Sequence, residues 1–193
     1  MVFDNERRAR LGALPTANIG DAMDRLFVTQ AAIKSVWPGA RMVGSAFCVL
    51  TAPGDNQAIH SAIDAAAPGD VIVVAAGGYT DRALIGELMA GRMVARGLAG
   101  IVIDGAVRDA QDIGDMKFPV FARGVTPAGP YRNGPGLHQI PVAIGGVAVC
   151  PGDIVVGDDD GVVVVRQQEL DTVLERAEAK HAAEALQRAS NGV

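Results

Sequence analysis

Aromatic residues make up only 4% of this chain, and its 17 lysines and arginines are outnumbered by 22 acidic residues. So few rings leave little surface for stacking single-stranded bases, and a net charge of −5 gives no basic footprint for a phosphate backbone. Nucleic acid is therefore not an expected partner. Cysteine occurs twice: Cys48 and Cys150 sit in apolar runs without metal-ligand spacing, which predicts buried thiols in a reducing compartment. No apolar run approaches the roughly 20 residues needed to span a bilayer. Met1 to Arg10 is charged, unlike a secretory leader. The expectation is a cytoplasmic protein with no membrane partner. His60, His138 and His181 lack H-x-x-x-H spacing and read as core or surface residues. There is no G-x-x-x-x-G-K-[ST] or G-x-G-x-x-G phosphate loop, and Ser45, Ser61 and Ser190 have no nucleophile-elbow context. Lys34, Lys117 and Lys180 have no evident catalytic setting.

What the chain has is apolar mass: 49% of its 193 residues are hydrophobic, chiefly Ala, Val, Ile and Leu, and 20% are charged. That balance predicts a single folded domain over residues 1–193 with a substantial core. Thr16 is placed to cap a helix through Ala17–Phe27. Met42–Thr51 reads as a strand, Asn56–Ala66 as a helix, and Val71–Ala75 as a buried strand broken by Gly77-Gly78. Ile85–Arg96 is a helix stopped by Gly97, and Gly100–Asp104 is the next buried strand. Beyond it, Phe118–Arg123, Val125–Thr126, Pro141–Ile144, Val147–Val149, Ile154–Val156 and Val162–Arg166 are short extended pieces between Gly and Pro signals. They predict a compact antiparallel or mixed β layer. Gln167–Ala189, rich in Ala, Glu, Arg and Lys, is a long terminal helix. The fold class is α/β, with a βαβ-like first half and a β-rich second half.

Chemistry concentrates in Ile101-Val102-Ile103-Asp104-Gly105-Ala106-Val107-Arg108-Asp109, where an apolar strand enters a glycine turn and delivers an arginine beside an aspartate. One helix earlier, Gly86-Glu87-Leu88-Met89 presents a helix N-terminus whose first amides lack intrahelical acceptors and favour an anion. Arginine holds a small carboxylate in a fork of N–H donors, and aspartate holds a hard divalent cation. Asp112, three residues after Asp109, shares its face on a helical turn and suits Mg²⁺ or Mn²⁺ as a second ligand. Taken singly, the blander readings are a tight turn at Gly86 and a surface ion pair at Arg108-Asp109. Asp158-Asp159-Asp160-Gly161 reads as an acidic turn between strands, since consecutive extended residues face opposite ways.

These residues also carry a resemblance. The chain resembles the superfamily of the regulator of ribonuclease E activity A, in its 4-hydroxy-4-methyl-2-oxoglutarate/4-carboxy-4-hydroxy-2-oxoadipate aldolase branch. The likeness runs from about Ala17 to Arg188. It rests on Gly86-Glu87-Leu88, on Gly97-x-x-Gly100-x-Val102-x-Asp104-Gly105-x-x-Arg108-Asp109, on Pro141-Val142 with Gly146-Val147, and on Pro151-Gly152-Asp153 with Asp158-x-Asp160-Gly161-Val162. Glu87, twenty intervening residues and Arg108-Asp109 match the spacing of the aldolases, with glutamate where the bacterial enzymes more often carry aspartate. The resemblance implies a compact β/β/α domain, and a divalent-metal-dependent class II pyruvate aldolase that also decarboxylates oxaloacetate. It implies that Asp109 coordinates the metal, that Arg108 binds the carboxylate or keto oxygen of a small 2-oxo acid, and that the Gly86–Met89 amides bind its pyruvyl part. It further implies a homotrimer or hexamer in which Glu184, or Glu178, of a neighbouring subunit completes the site. Arg123, Arg132 and His138 are candidate contacts for the half of the substrate beyond the pyruvyl unit. A non-enzymatic regulator, resembling the ribonuclease E inhibitor branch, is the alternative.

Overall fold

A computed structural model describes residues 3–192; Met1 and Val2, at the head of the charged N-terminal stretch, and Val193 lie outside the described residues. Two short helices, α1 (Asn5–Gly12) and α2 (Thr16–Ala22), precede β1 (Lys34–Ser35) and β2 (Met42–Thr51). Three crossovers follow: α3 (Gln57–Ala65) leads to β3 (Asp70–Ala83), α4 (Glu87–Ala95) to β4 (Gly100–Val107), and α5 (Ala110–Asp115) to β5 (Val120–Val125). Then come β6 (Gly136–His138), β7 (Val142–Ile144), β8 (Val147–Val149), β9 (Ile154–Asp158) and β10 (Gly161–Val165). The chain closes with α6 (Leu170–Ser190).

The main sheet runs β1-β5-β4-β3-β2-β9-β10, with β6 pairing the far end of β2. Its centre, β2 to β5, is parallel, and its edges are antiparallel. Val71–Val74 and Ile101–Ile103 are continuous β-branched runs because both faces are covered. One face packs Phe47, Val49, Ile72, Val74, Ile101 and Ile103 against Ile59, Ile63, Met93 and Ile113 of the crossover helices. On the other, Cys48, Val73, Val102 and Phe121 lie under the β7–β8 hairpin. A third cluster joins Ile154, Val156, Val163 and Val165 to Leu11, Ile19, Leu170 and Leu174 of α1, α2 and α6.

The α/β class, the βαβ-like first half and the long terminal helix are all present, but several expectations need correction. The α2 helix ends at Ala22 rather than Phe27, because Asp24 and Arg25 both turn left-handed, at φ 55° and 67°. Thr16 is that helix's first residue rather than its cap, and its hydroxyl donates to Asp158 Oδ1 at 2.5 Å. β3 is not broken at Gly77-Gly78. Both glycines adopt φ near 70°, the register slips, and the strand continues to Ala83. Glycine meets that geometry without a Cβ penalty, so the pair bends the strand instead of ending it. Gly105, read as a turn, is inside β4 at a similar irregularity. The second-half strands form no separate layer: β5 extends the parallel centre, β9–β10 forms the opposite edge, and only β7–β8 stands apart.

Candidate active site

β4 leaves the sheet at Val107 and hands the chain to Arg108 and Asp109 beside the start of α4. The Arg108 amide donates to Ile85 O at 3.0 Å, fixing the strand end against the residue before Gly86. Asp109 then takes a left-handed conformation, φ 57° and ψ 39°, as the residue that opens α5. Outside glycine, asparagine and aspartate are the residues most often found there. The turn swings its carboxylate back onto α4, where Oδ2 accepts from the Glu87 amide at 3.1 Å.

Gly86 makes this approach feasible. A Cβ at that position would collide with Asp109 Oδ2 and lie 3.0 Å from both Cγ and Nε of Arg108. The blander reading of Gly86 as a turn glycine therefore gives way to close approach of a charged pair. The expectation that the Glu87 amide binds substrate is corrected, since Asp109 occupies it. Among the described residues, the next two amides, of Leu88 and Met89, have no acceptor.

Arg108 Nε lies 3.4 Å from Asp109 Oδ2, with side-chain exposures of 43% and 33%. The Arg108 guanidinium makes no closer polar contact among the described residues. Its fork borders a cleft of about 190 Å³ lined by Asn56, His60, Gly86, Leu88, Met89 and Pro130 among others. Four roomier clefts, of about 320 to 380 Å³, lie elsewhere on the surface, the largest between α1 and β2; none is lined by Arg108 or Asp109.

Glu87 is half-buried at the first turn of α4, with no ion-pair partner among the described residues. Asp112 is exposed on the first turn of α5. Among the described residues, no three His, Cys, Asp or Glu side chains converge as a metal cluster. Asp109 keeps Oδ1 uncommitted. One or two carboxylates beside open space fit a hard cation that retains most of its waters, as Mg²⁺ does.

Glu184 is not part of this corner in its own chain. It is on α6, over the β9–β10 edge, where it accepts from Asn18 Nδ2 at 2.9 Å and stands 3.5 Å from Lys180. The Asn18 hydrogen bond, with the lysine charge, holds its carboxyl below the usual range. Glu178 is gripped by Arg10 through two bonds of 2.8 and 2.7 Å. Arg123 is paired with Asp104, whose other oxygen accepts from Gly145 N at 3.0 Å, and His138 is engaged by Ala58 O at 2.8 Å. Neither lines the cleft.

The sequence reading missed two residues of the α3 start. Asn56 donates to Leu84 O at 3.0 Å while its buried Oδ1 has no partner, and His60 borders the same cleft rather than serving only core or surface. Their spacing of four in Asn56-Gln57-Ala58-Ile59-His60 was the available signal, since a helix places such residues on one face. Asp55, just before, ties the far wall. Burial raises its carboxyl, but accepting from the amides of Gln57, Asn133 and Gly134 outweighs that and lowers it. Cys48 is buried, and desolvation pushes its thiol up to about 12, which leaves it inert at neutral pH.

Comparison with known proteins gives a consistent family. A family model described as RraA-like, Aldolase/RraA, matches residues 16–164. A protein of Halalkalibacterium halodurans named putative 4-hydroxy-4-methyl-2-oxoglutarate aldolase is 41% identical over 169 residues, covering 88% of this chain and 80% of that one. A protein of the same name from Aromatoleum aromaticum is 36% identical, covering 77% and 94%. Among solved structures, Streptomyces coelicolor RraAS2, described as an unusual member of the RNase ES inhibitor RraA protein family, superposes with a TM-score of 0.86 at 29% identity. It covers 96% of each chain. No helix among the described residues is long and apolar enough to cross a membrane.

Proposed function

The chain belongs to the RraA-like, Aldolase/RraA family, and from that premise we propose that it is a divalent-metal-dependent pyruvate aldolase. Its substrate is 4-hydroxy-4-methyl-2-oxoglutarate or a related 4-hydroxy-2-oxo acid, it also decarboxylates oxaloacetate, and it works in the cytoplasm as a trimer or paired trimers. The observation that carries this reading is Arg108. Among the described residues its guanidinium fork has no hydrogen-bonded partner, and it stands at a cleft beside an aspartate that the fold holds in a left-handed turn.

Asp109, with Asp112, would hold Mg²⁺ or Mn²⁺. When bound, the cation supplies Lewis-acid withdrawal of electrons from the 2-oxo group. Arg108 binds the substrate carboxylate through paired N–H donors, and the Leu88 and Met89 amides orient the keto oxygen. Cleavage breaks the C3–C4 bond as a base takes the 4-hydroxyl proton. The C4 fragment leaves as a carbonyl, and the bond's electron pair moves into the pyruvyl half, where a proton later adds at C3. Arg108 and the two amides stabilise the charge on the oxygen during that step. Glu87, without an ion-pair partner at the same helix end, is assigned the proton transfer. Glu184, which is on α6 away from this corner in its own chain, would reach it from a neighbouring subunit, and Glu178 is the weaker choice because Arg10 holds it.

A regulator role is the second reading, supported by the likeness to RraAS2. The test is to incubate protein and Mg²⁺ with oxaloacetate and with 4-hydroxy-4-methyl-2-oxoglutarate while following pyruvate. Chelator-sensitive release is expected. Silence with both substrates, together with tight ribonuclease binding that survives Asp109→Ala, would establish the regulator instead.

A further inference from the structure

We propose that His60 is the hydrogen-bond donor for the half of the substrate that lies beyond the carboxylate held by Arg108, with Arg92 as the residue that fixes it in that role. This rests on the aldolase reading of the cleft. The geometry begins with Arg92, on the second turn of α4, whose Nη1 lies 2.8 Å from His60 Nδ1. A guanidinium can only donate, so Nδ1 must accept, and the neutral ring must carry its proton on Nε2. Arg92 is itself anchored by Asp64 of α3, Nη2 to Oδ1 at 2.8 Å. The chain Asp64–Arg92–His60 thus crosses from α3 to α4 and back, setting the tautomer as a carboxylate does elsewhere for a ligating histidine.

His60 Nε2 has no partner among the described residues and is not enclosed, while the ring borders the cleft shared with Arg108 and Gly86. The charged groups acting on it are Arg92, Arg132 and Asp64. Burial first, then the two arginines, lower its pKa against the smaller opposing effect of Asp64. The imidazole therefore stays neutral at pH 7, a donor at Nε2 rather than a cation. Arg123 and His138 are spent on structural partners, as described above, and Arg132 does not line the cleft, whereas His60 borders it together with Arg108.

The first measurement is the long-range ¹H–¹⁵N spectrum of the intact protein at pH 7. It should show His60 protonated at Nε2 and bare at Nδ1, and Arg92→Leu should mix the tautomers. In kinetics with Mg²⁺ and 4-hydroxy-4-methyl-2-oxoglutarate, His60→Ala should lower kcat/KM by roughly 10- to 100-fold, mainly through KM, as expected for a lost hydrogen bond to a charged or developing-charge group. His60→Gln, which keeps an N–H near Nε2, should recover most of that loss. A protonated Nδ1 in the wild type, an unchanged His60→Ala, or a His60→Gln no better than alanine would overturn the assignment. Titration with oxalate and with oxaloacetate separates the two readings. If His60 resonances shift with oxaloacetate but not oxalate while no pyruvate forms, the aldolase reading fails and the donor role stands. If pyruvate forms and those resonances stay still, the donor role fails alone.

Discussion

The β4–α4 corner and the α1–α6 corner treat charge in opposite ways. Where α1 meets α6, Arg7 binds Asp171 at 2.7 Å and Arg10 binds Glu178 through two bonds, and α2 adds Asn18 to Glu184 and Asp21 to Lys180 at 2.9 Å. Each of these carboxylates has a dedicated partner. Where β4 meets α4, among the described residues Arg108 has only a loose 3.4 Å contact and Glu87 has no ion-pair partner, while Asp109 adopts a backbone conformation that costs of order 1–3 kcal/mol. The named carboxylates at one end are matched to partners, while the Arg108 fork at the other has none among the described residues, which is what the proposed carboxylate binding requires. The lesson is that spare bonding capacity, more than charge as such, separates a binding corner from a docking seam.

Four experiments bear on that contrast. Arg108→Ala should have the largest effect: turnover falls about 10²–10³-fold, or roughly 2.7–4 kcal/mol in the barrier. The melting temperature should hardly move, because the guanidinium supports little in the fold; an unfolding shift as large as the kinetic loss would erase the distinction. Gly86→Ala should be next, costing about 1–3 kcal/mol of stability as Asp109 and Arg108 are forced aside, read by denaturant unfolding with activity lost in parallel. Asp109→Asn should weaken Mn²⁺ binding roughly tenfold or more in a metal titration while keeping the fold, since asparagine accepts the left-handed turn.

Smallest is Arg10→Ala, which should slightly lower the melting temperature and leave turnover intact. Hydrogen bonds from Arg7 and Arg10 hold the Asp171 and Glu178 carboxyls below their ordinary values of 3.8 and 4.5. A depressed folded pKa contributes stability that is fully present above the ordinary value and lost as pH falls through the depressed one. The gap between wild type and Arg10→Ala should therefore be constant near neutrality and close progressively below about pH 4. A gap that persists into strong acid would mean the seam is held by packing alone.

Much of this contrast was legible in the residues, though unevenly. Buried β-branched runs marked β3 and β4, because periodicity and burial act over a few neighbouring residues. The pairing of Arg108 with Asp109, and their proximity to Gly86, followed from a strand end and a glycine before a helix. The capture of the Glu87 amide by Asp109 was not legible, because it depends on a left-handed turn that aspartate permits but does not announce. Nor was the passage of β3 through Gly77-Gly78, since two glycines signal an interruption equally well whether the strand bends or ends. His60 read only as a core or surface residue because its contact with Arg92, thirty-two residues away on another helix, leaves no local signal. The placement of β9–β10 at the far edge of the sheet likewise depends on long-range packing against α2 and α6.

Asp55 fixes the far wall of the cleft. By gathering the amides of Gln57, Asn133 and Gly134 onto one carboxylate, it rivets the head of α3 to the segment that carries Pro130 and Tyr131. Such fixing of a wall in advance would lower the ordering entropy that binding the proposed substrate costs. On the proposed function, loosening this wall at Asp55 would alter which substrates fit while leaving the Arg108 corner as it is.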